Sequence, residues 1–419
     1  MVDRRAALWL SGPVVAFSLG ALTGCGGQTA TGTVGGDAVI DAGPGTGVSL
    51  AITGATVVPM DAERRLPGHT VLVADGLIQA VAPDGAVEIP AGARIVEADG
   101  RSLLPGLADM HVHMSRADAP LYPAAGVTTV RNLWGFVELA PIVADIESGA
   151  LVGPTIHTVS PGLDGTPPKW PQTQLVTDPS QTAAVVDAQI AAGYRALKLY
   201  QDLRSDVFDA IIHVARDRSV PFLGHVPHRV GLERALDAGY RSIEHLSGYG
   251  IYLAGGGSPA FPTWAAADVS RMPEIAARTA AAGVWNCPTL AIALEILGEE
   301  PGSDAAFAEN RRRMVAALHD AGAGLLVGTD AGIGRTAPGS SIHDELEELV
   351  AAGLTPNEAL RAATVDAASF LGVPDEFGRV ATGLRADLLL LDGDPLQDIS
   401  VTRRRAGVVL RGVWRRSGS

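Results

Sequence analysis

The sequence has few cysteines, few aromatic residues and little positive charge. Only Cys25 and Cys287 occur among its 419 residues, and Cys25 lies in a segment that we expect to be processed, which excludes an internal disulfide. Aromatic residues make up 5% and hydrophobic residues 47%, a balance typical of a globular chain. Because 32 Lys and Arg stand against 46 Asp and Glu, the net charge is −14, which argues against nucleic acid as a partner.

Residues 1–49 resemble an export and anchoring segment. Residues 1–24 are predicted to be a lipoprotein signal peptide, since Arg4 and Arg5 precede an apolar stretch that is too short and too interrupted to span a membrane. The stretch ends in Leu22-Thr23-Gly24-Cys25, which resembles a lipobox with Cys25 as the lipidated residue. Residues 25–49 are predicted to be a flexible tether. We therefore expect an extracytoplasmic, membrane-anchored lipoprotein, periplasmic or at the cell surface, exported by the Sec or twin-arginine route and contacting the membrane through its N-terminal lipid only.

The mature chain divides into β-rich ends and an alternating middle. Residues 50–105 and 378–419 contain short β-branched runs separated by Gly, Pro and Asp, which predicts a small β-sandwich domain built from both ends. Residues 106–377 predict helices near 179–192 and 305–321 and strands near 106–110, 127–131, 154–158, 194–200, 220–224, 241–244, 284–288 and 324–329. This α/β pattern and size fit a (β/α)8 TIM barrel. An open doubly wound sheet is the alternative, but no glycine-rich phosphate loop follows the first strand.

Polar residues stand at the ends of five of these strands: His111, His113, Lys198, His225, His245 and Asp330. In such barrels the catalytic groups lie at the carboxyl ends of the strands. His111 and His113 are two residues apart, so on an extended chain their rings lie on the same face. Six nitrogen and oxygen donors at one end of a barrel indicate a metal site.

Lys198 is one of two lysines in the chain, beside Lys169, so the 32 Lys and Arg include 30 arginines. It lies in the apolar segment Arg195-Ala196-Leu197-Lys198-Leu199-Tyr200, where a bare ammonium group is costly to bury. Lysine, unlike arginine, can add carbon dioxide when its pKa is lowered. The resulting carbamate is an anionic oxygen donor that can bridge two cations; the alternative is a lysine that extends its ammonium group to solvent.

These residues together resemble the amidohydrolase superfamily, over nearly the whole mature chain. The residues that carry the resemblance are Leu104-Pro105-Gly106-Leu107-Ala108-Asp109-Met110-His111-Val112-His113, Gly126-Val127-Thr128-Thr129-Val130-Arg131-Asn132, Lys198, Gly224-His225, Ser242-Ile243-Glu244-His245, Gly328-Thr329-Asp330-Ala331-Gly332 and Thr382-Gly383-Leu384-Arg385-Ala386-Asp387-Leu388. Within the superfamily the chain is most similar to the imidazolonepropionase-like proteins and the zinc prolidases, the Xaa-Pro and Xaa-Arg dipeptidases.

The resemblance implies two divalent metal ions, of which zinc best suits the imidazole-rich donor set, although manganese, cobalt or iron would also fit. His111, His113 and Asp330 would hold the first metal, and His225 and His245 the second. Carboxylated Lys198 and a hydroxide would bridge them, and Asp330 would also transfer protons. The predicted activity is hydrolysis of an amide (C–N) bond in a small-molecule substrate such as a dipeptide or N-acyl amino acid.

The candidates for substrate binding are Tyr200, His228, Arg229 and Trp170, and His228 is also a candidate for stabilising an oxyanion. The similar prolidases carry a Tyr two residues after the fifth-strand His, whereas this chain has Pro227. A lactonase or phosphotriesterase on the same metal site is the alternative enzyme, and a solute-binding lipoprotein with a degenerate barrel is the alternative that is not an enzyme. Homo-oligomerisation stays open.

Overall fold

The computed structural model describes residues 50–136, 138–170, 172–256, 262–292, 304–334 and 336–417. The predicted signal peptide, the lipidation site Cys25 and the tether lie outside these residues. The strands, in chain order, are β1 Leu50–Val57, β2 Leu66–Ala74, β3 Leu77–Pro83, β4 Arg94–Glu97, β5 Ser102–Pro105, β6 Leu107–Val112, β7 Val127–Asn132, β8 Thr155–Thr158, β9 Gly162–Asp164, β10 Gln174–Leu175, β11 Leu197–Leu199, β12 Phe222–Gly224, β13 Ser242–Glu244, β14 Trp285–Cys287, β15 Leu388–Leu391, β16 Arg405–Leu410 and β17 Val413–Arg416.

The helices lie almost entirely between the strands of the middle segment. In chain order they are α1 Leu121–Ala124, α2 Leu139–Glu147, α3 Thr182–Ala191, α4 Ser205–Asp217, α5 Leu232–Ala238, α6 Tyr249–Leu253, α7 Pro262–Ala265, α8 Met272–Ala281, α9 Asp304–Asp320, α10 Ser341–Ala351, α11 Pro356–Ala362 and α12 Val365–Leu371, with short 3-10 turns at Pro179–Gln181, Val269–Arg271 and Ile399–Arg403. In the described part of the chain, no helix combines the length and the apolar character that a membrane crossing requires.

Strands from both ends of the chain share one eight-stranded sheet. Its order is β17-β16-β15-β5-β1-β2-β3, with β4 beside β1. Neighbouring side chains of a strand point to opposite faces, and β15 is buried on both. Leu388 and Leu390 pack into a separate cluster with Leu50 and Ile52, whereas Leu389 joins the larger core of the middle segment. One face of this sheet therefore has its own core, and the other contributes to the core around the site.

The middle segment contains two parallel sheets of alternating strands and helices. One has the order β6-β7-β8 and the other β10-β9-β11-β12-β13-β14. The two sheets contact each other on one side, where the Ser160 N–H donates to Ala196 O at 2.9 Å. This arrangement is the α/β fold expected for the middle segment, with all strands parallel, so that their carboxyl ends lie on the same side.

Two of the sequence predictions for the middle segment are wrong in detail. Residues 324–329 do not form a strand: Leu325 makes an isolated parallel bridge with Asn286 of β14, and Ala331, just after the segment, makes another with Val112 of β6. Its hydrogen bonds are shared between the two neighbours, because the Met110 N–H donates to Val327 O while the Leu326 N–H donates to Asn286 O. The predicted strands also omit β9, whose residues are buried beside β11.

Candidate metal centre

The carboxyl ends of the parallel strands bring the six candidate ligands to one end of the middle segment. His111 is the penultimate residue of β6, and His113 follows that strand directly. Lys198 is the central residue of β11, and His225 and His245 come immediately after β12 and β13. Asp330 follows the bridging segment 324–329, so all six residues lie on or directly after neighbouring parallel segments.

His111, His113 and Asp330 form the tightest group. The ring nitrogen Nε2 of His111 lies 3.1 Å from Asp330 Oδ1, and Nε2 of His113 lies 3.0 Å from the same oxygen. Gly328 allows this approach, because a Cβ there would lie 2.7 Å from the His111 Cβ and 2.3 Å from the Cys287 Sγ. One donor atom from each of the three side chains lies within 4.8 Å of the donor atoms of the other two, as a shared cation requires.

The chemistry of these donors fits a divalent metal. The Nδ1 of His111 lies 2.9 Å from Glu244 Oε2, and a carboxylate can only accept, so Nδ1 carries the hydrogen and Nε2 presents a lone pair. That lone pair faces Asp330 Oδ1, which is also an acceptor. Among the described residues His111 Nε2, Asp330 Oδ1 and Lys198 Nζ are buried without a hydrogen-bond partner. A cation is the species that satisfies facing acceptors of this kind.

His225 and His245 continue the cluster on its other side. The ring centroids of His111 and His245 are 4.4 Å apart, and those of His225 and His245 are 4.8 Å apart. His245 and Asp330 both adopt the left-handed backbone region, with φ of 61° and 58°. Non-glycine residues seldom adopt that region, and such strain is concentrated at functional sites. The structure therefore brings five of the six candidate ligands within ring or carboxylate contact of one another.

Lys198 lies beside the same cluster and is 1% exposed. Burial lowers the pKa of its amine to about 8, although the negative charges of Glu244 and Asp330 act in the opposite direction. Burial also lowers the pKa of His225 and His245 well below the usual range, and the charge of Lys198 contributes to both shifts. Neutral imidazoles result, which is the form that binds metals.

Asp330 keeps its charge for a different reason. Burial by itself raises the pKa of a carboxyl group, but the neighbouring His245 and His111 lower the pKa of Asp330 well below its usual value. The side chain is 10% exposed, so it faces the other ligands and is nearly closed off from solvent. An ionised carboxylate in this place can serve as a metal ligand.

A buried ion pair behind His111 was not predicted. The Arg131 Nη2 lies 3.0 Å from both carboxylate oxygens of Glu244, and the Ser242 hydroxyl donates to Oε1 at 2.5 Å. Burial opposes ionisation of Glu244, but Arg131 and His111 together hold the pKa of Glu244 well below its usual range. The signal in the sequence was one charged residue in each of two apolar strands, since buried charges are paired.

A second unpredicted group supports His245. The Thr289 Oγ1 lies 2.8 Å from Nδ1 of the His245 ring. Arg311, on α9, donates to the backbone carbonyls of His245 at 3.1 Å and Pro288 at 2.7 Å. These contacts hold the ends of β13 and β14 together, and they stabilise the left-handed backbone of His245.

Aromatic side chains line one side of the ligand cluster. The Tyr200 ring centroid lies 4.2 Å from that of His225 and 5.3 Å from that of Trp134, and the Trp170 Nε1–H donates to the Tyr200 hydroxyl at 2.9 Å. Trp134 itself lies 6.5 Å from the His113 ring. We call Trp134, Tyr200 and Trp170 the aromatic wall. Trp170, 36% exposed, is its outer end. Of the four candidate substrate contacts, the structure connects Tyr200 and Trp170 to the ligands.

His228 and Arg229 follow His225 but lie farther out. The His228 backbone N–H donates to Gln201 O at 2.9 Å, and its half-buried ring makes no hydrogen bond to another described side chain. Arg229 is exposed, and its carbonyl accepts from the Ser205 hydroxyl at 2.8 Å. Among the described residues, neither side chain has a hydrogen bond, ion pair or ring contact with the ligand cluster. Cys287 is fully buried, and burial raises the pKa of its thiol well above the usual value, as expected for an inert cysteine.

The chain belongs to the amidohydrolase family. The family's sequence profile, described as "Amidohydrolase family", matches residues 188–415, which is more than half of the chain. An uncharacterized protein of Mycobacterium tuberculosis (strain H37Rv) is 30% identical over 353 residues, covering 75% of this chain and 85% of that protein. This result confirms the predicted family. It agrees with a metal-dependent hydrolase acting on C–N bonds.

Two further similarities extend the comparison. An adenine deaminase of Paracoccus denitrificans is 22% identical over 356 residues, which are 81% of this chain and 54% of that protein. The chain thus spans about half the length of the adenine deaminases it matches. The crystal structure of a Xaa-Pro dipeptidase superposes with a TM-score of 0.71 at 20% identity, covering 88% of this chain and 100% of that one. At that identity the likeness concerns the fold.

Proposed function

We propose that the protein is a binuclear metal-dependent hydrolase that cleaves an amide bond of a small substrate such as a dipeptide or N-acyl amino acid. The observation that carries this proposal is that the Nε2 atoms of His111 and His113 both lie next to one carboxylate oxygen of Asp330. His225, His245 and Lys198 lie beside this group. We further propose that the parallel strands close into a (β/α)8 barrel. The hydrogen bonds of residues 324–329 to both β6 and β14 support closure.

The two metal positions would use different ligands. His111, His113 and Asp330 would hold one ion, and His225 and His245 the other, with carboxylated Lys198 between them. The carboxylation joins the neutral Nζ to the carbon of CO2 and releases one proton, leaving an anionic carbamate. The buried, unpartnered Nζ supports this assignment. When bound, a pair of divalent cations makes a water nucleophilic at neutral pH and polarises a carbonyl group.

Asp330 would move the proton during the reaction. Its carboxylate takes a proton from the attacking water and passes it to the leaving nitrogen, as a general base and then a general acid. Backbone contacts hold it in place for this task, since the Asp330 N–H donates to His111 O at 2.7 Å. We assign the transfer to Asp330 because its carboxylate lies against both His111 and His113.

The substrate would lie against the aromatic wall. Tyr200 and Trp170 favour an apolar side chain next to the scissile bond, since flat aromatic faces gain most from burying apolar surface. His228 and Arg229, at the outer edge of the same loop, are the candidates for binding a substrate carboxylate or an oxyanion. The exposed guanidinium of Arg229 suits a carboxylate, which it can bind with two parallel hydrogen bonds.

The location of the enzyme is a further proposal. The lipobox-like Cys25 and the charge pattern of residues 1–24 support a lipoprotein held outside the cytoplasm by its N-terminal lipid. Deamination is a competing reaction in view of the adenine deaminase relatives. The residues after His225, which are Val226-Pro227-His228, lack the Glu that deaminases of the superfamily use there, and this favours hydrolysis.

The proposal is tested by assaying the chain, loaded with zinc and bicarbonate, against a panel of substrates. The panel contains dipeptides varied at the C-terminal residue, N-acyl amino acids, lactones, an activated phosphotriester and adenine. The blank is Asp330→Asn, which keeps an oxygen ligand but cannot accept a proton. We expect the Asp330→Asn variant to retain most of its metal and to lose about 100-fold to 10,000-fold in turnover.

Asp330-dependent cleavage of peptides or acyl amino acids supports the amidase. Cleavage restricted to lactones or phosphotriesters keeps the metal site but contradicts the substrate class, and adenine deamination contradicts the reaction. Bound metal without turnover of any substrate favours the solute-binding alternative.

A further inference from the structure

His111 and His245 have different partners on the ring nitrogen that faces away from the ligand cluster. The Nδ1 of His111 lies 2.9 Å from a carboxylate oxygen of Glu244, and both side chains are completely buried. The Nδ1 of His245 lies 2.8 Å from the hydroxyl of Thr289. One imidazole is therefore backed by an anion and the other by a neutral group.

The Glu244 carboxylate behind His111 is fixed in place by Arg131. Both oxygens of Glu244 lie 3.0 Å from the Arg131 Nη2, and the Arg131 Nε–H donates to Met110 O at 2.6 Å. Because Arg131 is fixed to the backbone next to His111, the carboxylate, the guanidinium and the imidazole form a single buried unit. The tautomer of His111 is thereby determined, with its lone pair on Nε2 toward Asp330 and His113.

Thr289 constrains the His245 ring less than Glu244 constrains the His111 ring. A hydroxyl can donate or accept, so Thr289 orients the ring without selecting its tautomer, and it adds no charge. A carboxylate on the far nitrogen increases the electron density that an imidazole offers to a metal, and removing such a partner typically costs about 10-fold to 100-fold in metal affinity. His111 and His245 are therefore unequal donors.

We propose that the two metal positions differ in affinity, and that Glu244 is the positioning residue that makes the His111–His113–Asp330 position the tighter one. The inference rests on the proposed two-metal site. The inference adds an order of metal binding: the His111–His113–Asp330 position binds its metal ion first and releases it last. Glu244 acts through His111 and does not touch the substrate.

The first test uses the wild-type protein. The zinc-loaded chain is titrated with a chelator while bound metal is counted by elemental analysis, and crystals of the one-metal form are examined by anomalous scattering at the zinc edge. We expect the zinc to be lost in two phases. In the one-metal form, the remaining ion should lie at His111, His113 and Asp330. A remaining ion at His225 and His245, or equal occupancy of both positions, overturns the inference. Failure to bind zinc at all contradicts the proposed function instead.

The second test compares three variants by the same titration. Glu244→Gln keeps the shape and a hydrogen-bond acceptor but removes the charge. We therefore expect the zinc affinity of the tighter position to fall about 10-fold to 100-fold, while that of the weaker position changes little. Thr289→Val should affect the weaker constant alone. Ser242→Ala is the matched control, because its hydroxyl bonds the same carboxylate without touching His111. It should leave both constants nearly unchanged.

Equal weakening of both constants in Glu244→Gln indicates a purely structural role and overturns the assignment, as does an unchanged tighter constant. Removing the charge leaves Arg131 buried without its anion, so this variant can lose folding. In that case the wild-type measurement and Thr289→Val decide the question.

Discussion

Glu345 is a buried carboxyl group close to the candidate site, and its burial predicts an unusual dependence of stability on pH. It lies on α10, is 0% exposed, and accepts a hydrogen bond from the Ala291 N–H at 2.7 Å. Its second oxygen has no partner among the described residues. Burial raises the pKa of Glu345 from 4.5 to about 8, although the backbone N–H groups of Ala291 and Leu290 and the charge of Arg311 counteract the shift.

The sign of the effect follows from proton binding. Between pH 5 and pH 8 the folded protein keeps the proton on Glu345 while the unfolded chain has released it, so the free energy of unfolding falls as pH rises. One pKa unit corresponds to about 1.4 kcal/mol, so this interval costs at most about 4 kcal/mol. Glu345→Gln retains the shape and cannot ionise. The free energy of unfolding of this variant should equal that of wild type near pH 5 and should be higher by up to about 4 kcal/mol at pH 8 and above.

The measurement is denaturant unfolding of both proteins at several pH values from 5 to 9. Other groups titrate equally in the two proteins and cancel in the difference. Glu348→Gln is the control on the same helix, since Glu348 is paired with Arg312 at 2.7 Å and is partly exposed. It measures what a Glu-to-Gln change on this helix does to stability where the carboxylate already has a cationic partner. A Glu345→Gln difference that is the same at pH 5 and pH 9 would refute the reasoning.

Two further predictions concern the site. Lys198→Ala should lose at least one metal ion by elemental analysis, because the bridging carboxylate is assigned to its amine; two ions retained would contradict the bridge. Gly162→Ala should raise KM for substrates with apolar side chains about 10-fold or more, with metal content unchanged. The added Cβ would lie 2.2 Å from the Trp134 ring and displace the aromatic wall. An unchanged KM would mean that the wall does not contact substrate.

The positions of the candidate ligands could be predicted from the sequence because strand ends are local features. An apolar run followed by a polar residue and a turn signal marks His225 and His245 directly, and a two-residue spacing places His111 and His113 on one face. The less regular elements escaped prediction for a local reason as well. The three residues of β9 are too few for a periodic pattern, and segment 324–329 shares its hydrogen bonds between two neighbours.

What only the tertiary structure decided is which side chains support those ligands. Glu244 and Arg131 are 113 residues apart, and His245 and Thr289 are 44 residues apart, so no local pattern relates the members of either pair. Their contacts depend on the pairing register of neighbouring strands and on the path of the loops between them. The sequence by itself determined the family, the strand ends and the donor types. The three-dimensional packing determined which imidazole is backed by a carboxylate, because burial forces each charge to find its partner wherever the fold brings one within reach.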